Sequence, residues 1–267
     1  MVFLSIDTST QYTVVALSDE KSLLYGSRRL SEKGRSDSLM NLLTHCLKYT
    51  KTKLDAIDFF GVGVGPGSFT GLRIGLSTVK GLSFALKKPC YVFSSLDAIA
   101  SNGRRFLKKQ LCVLVDARRS NVYGRFYTFA AKNHGLQAVD GFGRSSIPPK
   151  EESRASARIG LHKADSFAFQ RTSQDLLIDY KSLMKRIDFL NRQGEEVFFF
   201  GDGLKMYKEE LKKKSKHFRF EPRKFWYPTP ESIALLTREA AKSNKPLNCF
   251  QLLPQYLYKQ DCQVKPR

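Results

Sequence analysis

The chain has 267 residues, enough for a substantial core in one large domain or two smaller ones. Its 42% hydrophobic and 26% charged residues are ordinary for a soluble globular protein, but 45 Lys and Arg against 25 Asp and Glu leave a net charge of +20. That excess fits either a polyanionic partner or a diffusely basic surface, and Cys46, Cys90, Cys112, Cys249 and Cys262, odd in number and without a CxxC pair, exclude a zinc ribbon and a disulfide framework in favour of a reducing cytoplasm.

Val2 to Asp7 reads as a buried strand rather than a leader, Tyr12 to Ser18 as its hairpin partner and Ser22 to Leu30 as a third strand. From Ser36, Leu39, Leu42, Leu43, Cys46 and Leu47 recur at helical spacing to about Tyr49. Asp58 to Val64 is apolar and small, as a strand covered on both faces tends to be. It empties into Gly65-Pro66-Gly67, a permissive corner, and then into a helix over Ser68 to Leu86 that Ser68 or Thr70 can cap. Leu72, Leu76, Val79 and Leu86 share one face of that helix and Ile74, Thr78, Gly81 and Ala85 the opposite one, so packing on both sides is expected. Arg73 and Lys80 in mid-helix exclude a membrane span.

Cys90 to Phe93 is a further strand and Ser94-Ser95-Leu96-Asp97 opens a connecting helix. Leu111 to Asp116 and Val122 to Phe129 restart a meander across the polar turn Asp116–Asn121. The pattern dissolves over 141–165, read as a surface loop. Leu176, Leu177, Tyr180, Leu183, Met184, Ile187 and Leu190 then suggest one helix, Val197 to Phe200 a strand ending in Gly201-Asp202-Gly203, and Thr229-Pro230 the capped start of a last helix through Lys242.

Gly65-Pro66-Gly67-Ser68-Phe69-Thr70-Gly71-Leu72-Arg73-Ile74-Gly75, with Ile6-Asp7-Thr8-Ser9-Thr10 upstream, resembles the bacterial TsaB (YeaZ) family. Weaker echoes run through Val115-Asp116-Ala117-Arg118, Gly201-Asp202-Gly203 and Pro254-Gln255-Tyr256-Leu257. The resemblance implies an α/β, two-lobed actin-like fold with mixed sheets of β-β-β-α-β-α-β order. Residues 1–100 would form the first lobe, with the helix at 229–243 packed back on it, 101–228 the second lobe, and 244–267 a tail. It also implies a noncatalytic accessory subunit in threonylcarbamoyladenosine modification of tRNA next to the anticodon. Its partners would be a catalytic TsaD-like homologue, a TsaE-like ATPase and, transiently, tRNA, with a homodimer when alone.

Several side chains carry the chemical expectations. In the superfold the first strand's Asp, followed by Gly and Thr, lies near nucleotide phosphate and metal; here Asp7-Thr8-Ser9-Thr10 lacks the glycine. Asp7, Thr8, Gly65 and Gly67 therefore stand as a vestigial nucleotide site, against the plainer reading of turn-capping Asp and close-packing glycines. ATP or ADP would then belong to the interface of a complex, with no cofactor of the chain's own. Catalytic relatives carry a metal-binding HxxxH, whereas His45, His134, His162 and His217 share no such spacing. There is no GxSxG elbow, so a peptidase is not expected. The partner interface is placed on Leu39 and Leu43 of the first helix and on Ile74, Thr78, Gly81 and Ala85 of the second. Arg104, Arg105, Lys108, Lys109, Lys212, Lys213, Lys214 and Lys216 are candidate tRNA contacts, or simply solvated surface. The rival functions are a self-sufficient ATPase or small-molecule kinase of the same superfold and a tRNA-delivery module.

Overall fold

A computed structural model describes residues 1–31, 37–106, 108–131, 159–160, 167–171, 176–192 and 194–257. Short polar turns separate β1 (Val2–Asp7), β2 (Tyr12–Asp19) and β3 (Ser22–Leu30), which pair antiparallel in sequence. After α1 (Asp37–Thr50), β4 (Phe59–Gly63) joins β1 in parallel, and after α2 (Phe69–Leu86), β5 (Cys90–Phe93) joins β4 in parallel. Side chains alternate along these strands, and both faces are covered. Leu4, Ile6, Val15 and Leu17 pack with α1 and α2, while Phe3, Val14 and Ala16 pack with Ile233, Ala234 and Leu236 of α6 (Pro230–Ser243). The capping box at Thr229 and Ser232 starts α6 where Thr229-Pro230 predicted it.

The second half begins with α3 (Ser95–Ala100), β6 (Gln110–Asp116) and β7 (Asn121–Ala131). It includes β9 (Phe167–Arg171), β10 (Leu176–Asp179), α4 (Tyr180–Arg192), β11 (Val197–Phe200), α5 (Leu204–Lys214) and β12 (Phe218–Phe220). The sheet runs β10-β7-β6-β11-β12, with β9 also on β7. Leu183, Ile187, Leu204 and Leu211 cover one face and Leu96 and Ile99 the other. Two mixed sheets, each sandwiched by helices, make the expected two-lobed actin-like architecture.

Three expectations change. Leu176 and Leu177 are not helical: they pair with Gly124 and Tyr123 as strand β10, because an apolar run of three gains more from a sheet edge than from one extra helical turn. Within the stretch expected to be irregular, β8 (Ile159–Gly160) pairs with Leu23 and Ser22 of β3; the rest of 141–165 lies outside the described residues. The described part of 244–267 is no free tail. Leu247 exchanges backbone hydrogen bonds with Cys90, the Gln255 amide donates to the Val64 carbonyl at 2.8 Å, and Leu252 is fully buried in the first lobe. Cys46, Cys90, Cys112 and Cys249 are free and buried. Burial pushes the Cys46 thiol up to about 12, which keeps it protonated and inert.

Candidate functional site

The Gly-rich corner meets the first loop along a tight seam. Gly67, Gly71 and Gly75 recur every fourth residue and so share one side of the α2 start. A Cβ on Gly67 would stand 2.2 Å from the Ser9 carbonyl oxygen, one on Gly71 2.0 Å from that of Thr8, and one on Gly75 2.4 Å from Thr8 Oγ1. Ser68 N–H donates to the Ser9 carbonyl at 2.6 Å, Thr8 Oγ1 donates to the Gly71 carbonyl at 2.6 Å, and Ser68 Oγ caps the Gly71 amide at 3.2 Å. The structure thus brings together Asp7, Thr8, Gly65 and Gly67, the expected nucleotide residues, but bonds their polar groups to the chain itself. Gly65, at φ +102°, abuts Leu72 and the Gln255 carbonyl.

Asp7 is wholly buried. Its Oδ1 accepts from Ser9 N (2.9 Å) and Ser9 Oγ (2.7 Å), and its Oδ2 from Ser95 Oγ (2.7 Å). Burial holds this carboxyl above the ordinary range, partly offset by those hydrogen bonds. A raised native pKa means that its stabilising contribution is full below the unfolded carboxyl's pKa and is lost as pH rises through the native value. Asp7→Asn, which keeps an acceptor for Ser9 and can donate to Ser95, should therefore gain on wild type as pH rises from 4 to 7 in urea-unfolding series. Asp7→Ala strands three buried donors and should cost about 2 kcal/mol or more. Equal pH dependence of wild type and Asp7→Asn would mean that Asp7 does not titrate from a buried site. At the matching position in the second lobe, the Asp202 carboxylate accepts from Asp116 N at 3.0 Å, and a Cβ on Gly201 would meet the Leu114 carbonyl at 2.1 Å. This turn, too, is packed against the chain itself, on the neighbouring strand β6.

The helices divide their residues differently from expectation. Leu39 and Leu43, expected at a partner interface, are 1% and 4% exposed and belong to the first-lobe core. The apolar stripe of α1 is needed to cover β2 and β3, and among the described side chains of α1 those that face outward are Met40, Tyr49 and polar residues. On α2, Leu72, Leu76 and Val79 face the sheet, Ile74 and Thr78 are half-buried at the flank, and Gly81 and Ala85 are exposed, with nothing within 4 Å of a Cβ built on Gly81. The C-terminal segment lies alongside and was missed as part of this surface. Phe84 and Phe250 meet edge to face at 5.8 Å, Phe69 lies 5.0 Å from Tyr256, and Arg73 stacks 3.8 Å over Phe69. Phe84, Phe250 and Leu253 are 64%, 72% and 70% exposed.

The basic candidates separate. Arg104 is turned toward α6, where burial pulls its pKa down and Glu239 and Glu231 pull it back up, so it is corrected from a surface contact to an inward residue. Arg105 is clamped by Glu221 and by the Phe106 and Phe225 rings at 4.5 and 4.6 Å. Lys108, Lys109, Lys212, Lys213, Lys214 and Lys216 are exposed. His45 bonds through Nδ1 to the Tyr25 hydroxyl at 3.1 Å. His134 and His162 lie outside the described residues. Among the described residues, no three His, Cys, Asp or Glu side chains are grouped to hold a metal, and no helix is long and apolar enough to cross a membrane.

Residues 29–264 match the family model described as TsaD: tRNA N6-adenosine threonylcarbamoyltransferase. The chain belongs to this family. Within it the chain resembles the relatives called tRNA threonylcarbamoyladenosine biosynthesis protein TsaB. That of Bacillus subtilis is 33% identical over 139 residues, 52% of this chain and 59% of its own. That of Buchnera aphidicola subsp. Schizaphis graminum is 31% identical over 123 residues, 46% of this chain and 58% of its own. The match thus spans less than two thirds of each of these relatives. The solved structure of YeaZ from Pseudomonas aeruginosa, 24% identical, superposes with a TM-score of 0.64 over 96% of this chain and 99% of that one, a likeness of fold. The printed names of both relatives assign them to threonylcarbamoyladenosine biosynthesis.

Proposed function

We propose that the chain is a noncatalytic scaffold that binds and activates a TsaD-like threonylcarbamoyltransferase, acting on tRNA adenosine next to the anticodon. The observation that supports this reading is the seam at Gly67, Gly71 and Gly75, which ties the Thr8–Ser9 loop, the expected phosphate loop, to the chain's own second helix. A loop closed in that way favours positioning over phosphoryl chemistry, and leaves any ATP or ADP to the interface with a partner. The exposed face of α2 with Phe84 and Phe250 supplies a docking surface of apolar character. Gly81 and Ala85 there allow another helix to approach closely, and a TsaE-like ATPase would join through the assembled pair.

The test is a titration of the TsaD-like transferase against wild type and Gly81→Leu. The substitution removes a mid-helix glycine at an exposed position where an added Cβ meets nothing within 4 Å, so the variant should be at least as stable as wild type. At a close helix contact the added side chain should cost about 1–3 kcal/mol, roughly a tenfold or greater loss of affinity. Unchanged affinity with both proteins folded would remove this face from the interface. Modification assays with transferase alone, chain alone and the mixture should give product only from the mixture.

A further inference from the structure

The topology of the second sheet gathers basic segments that lie a hundred residues apart in sequence. β6, β11 and β12 are mutually parallel, and their first residues stand in register: Val197 opposite Gln110 on one side and Phe218 on the other. The residues that enter these strands, Lys108-Lys109, Glu195-Glu196 and Lys216-His217, therefore emerge at one end of the sheet, about 5 Å from strand to strand. α4 and α5 precede β11 and β12 and so deliver their C-terminal turns to the same end, adding Lys212, Lys213 and Lys214. Contacts bear this out: Lys214 Nζ bonds Asp188 at 2.9 Å, and Asn191 Nδ2 donates to the Lys214 carbonyl at 2.9 Å. Lys109 and Arg219, from two different strand regions, both grip Glu196, at 2.9 and 3.1 Å.

We propose that this end of the second lobe is a binding surface for the phosphate backbone of RNA. Glu196 acts here as a brace, holding Lys109 and Arg219 side by side rather than cancelling the patch. Among the described residues no carboxylate pairs with Lys108, Lys213 or Lys216, so their charges are offered to solvent. Lysines of this kind are mobile point charges, suited to phosphates that vary in position more than to a fixed carboxylate fork. An aromatic face lies in the same region: Phe189 of α4, 56% exposed and next to Asp188 in sequence. Cations beside an exposed ring favour a nucleic acid over an acidic protein, which offers nothing to stack. The surface lies on the lobe that does not carry α2, so RNA and the proposed helix partner would not compete. Arg104 and Arg105 play no part in it.

Binding of fluorescently labelled unfractionated tRNA to the full chain, read as anisotropy across a salt series, tests this. The patch variant is Lys108→Glu, Lys213→Glu and Lys216→Glu together; the control, with equal charge change on the first lobe, is Lys48→Glu, Lys51→Glu and Lys53→Glu. The patch variant should lose tenfold or more in affinity, and its log–log salt slope should shrink by about three, near one unit per lost phosphate contact. The control should keep the wild-type slope. Equal losses in both variants would reduce the effect to net charge and overturn the site, as would no binding at all by wild type. Polyglutamate competing as well as tRNA would overturn the choice of RNA. None of these results bears on the Gly81 titration, so this inference and the scaffold reading fail separately.

Discussion

Gly71→Ala is expected to destabilise the first lobe by about 3 kcal/mol, the upper end of the ordinary range for overpacking. The added carbon would lie 2.0 Å from the Thr8 carbonyl oxygen, and the obstacle is backbone, which cannot swing aside as a side-chain tip can. Thr8 is itself tied down, its hydroxyl bonded to the Gly71 carbonyl and its neighbour Ser9 bonded to Asp7 and to Ser68 N–H. Relief would require the first loop to lift off α2 and break those bonds together. Gly81→Ala is the matched control. It sits on the same helix with open space around it and should gain up to about 1 kcal/mol from helix propensity alone. Denaturant midpoints of the two variants should therefore move in opposite directions from wild type. If both rose, the loop would stand clear of the helix, and the seam would carry no support for a scaffold role.

This contrast shows which parts of the site the sequence discloses. The periodicity of Leu72, Leu76 and Val79 located the sheet-facing side of α2, because a covered face must be apolar whatever it packs against. That Gly71 and Gly75 contact the Asp7–Ser9 loop rather than another helix was not legible, since sequence spacing says that something comes close without saying what. Leu39 and Leu43 failed for a related reason. One apolar stripe on α1 suits a neighbouring sheet or a foreign helix equally, and only the position of β2 and β3 decides between them. Leu176 and Leu177 carried a helical period by accident of the leucines beyond them, while their actual partner, β7, is some fifty residues upstream. The docking of 247–256 beside α2 depends on single residues, Leu247, Leu252 and Gln255, scattered through polar sequence. The turn after Asp116 is illegible in another way: Arg118, Arg119 and Ser120 all take positive φ, a left-handed run that no glycine announces. It is fixed by tertiary contacts, among them the Tyr207 hydroxyl donating to the Ser120 carbonyl at 2.8 Å.

Asp97→Ala should be the most damaging single change between the lobes, costing about 3–5 kcal/mol. Asp97 lies on α3, the helix that leads from the first sheet into the second, and is 1% exposed. Its Oδ1 accepts from Arg125 Nη1 at 2.8 Å and from the Tyr127 hydroxyl at 3.0 Å, both on β7. Arg125 is 7% exposed, so loss of the carboxylate leaves a guanidinium inside the protein without that counter-charge. Asp97→Asn keeps one acceptor and should cost less. The triple variant Asp97→Leu, Arg125→Met and Tyr127→Phe removes these three polar side chains at similar volume and should recover most of the loss, because exchanging a buried ion pair for apolar packing is often close to neutral. Denaturation followed separately in near-ultraviolet and far-ultraviolet dichroism reads both the loss and its location. In Asp97→Ala the two signals should part, as the second lobe loosens before the first. A loss below about 1 kcal/mol in Asp97→Ala, or a triple variant no better than the single one, would show that α3 is held by its apolar contacts with Leu111 and Phe200 and that the ion pair is incidental to joining the lobes.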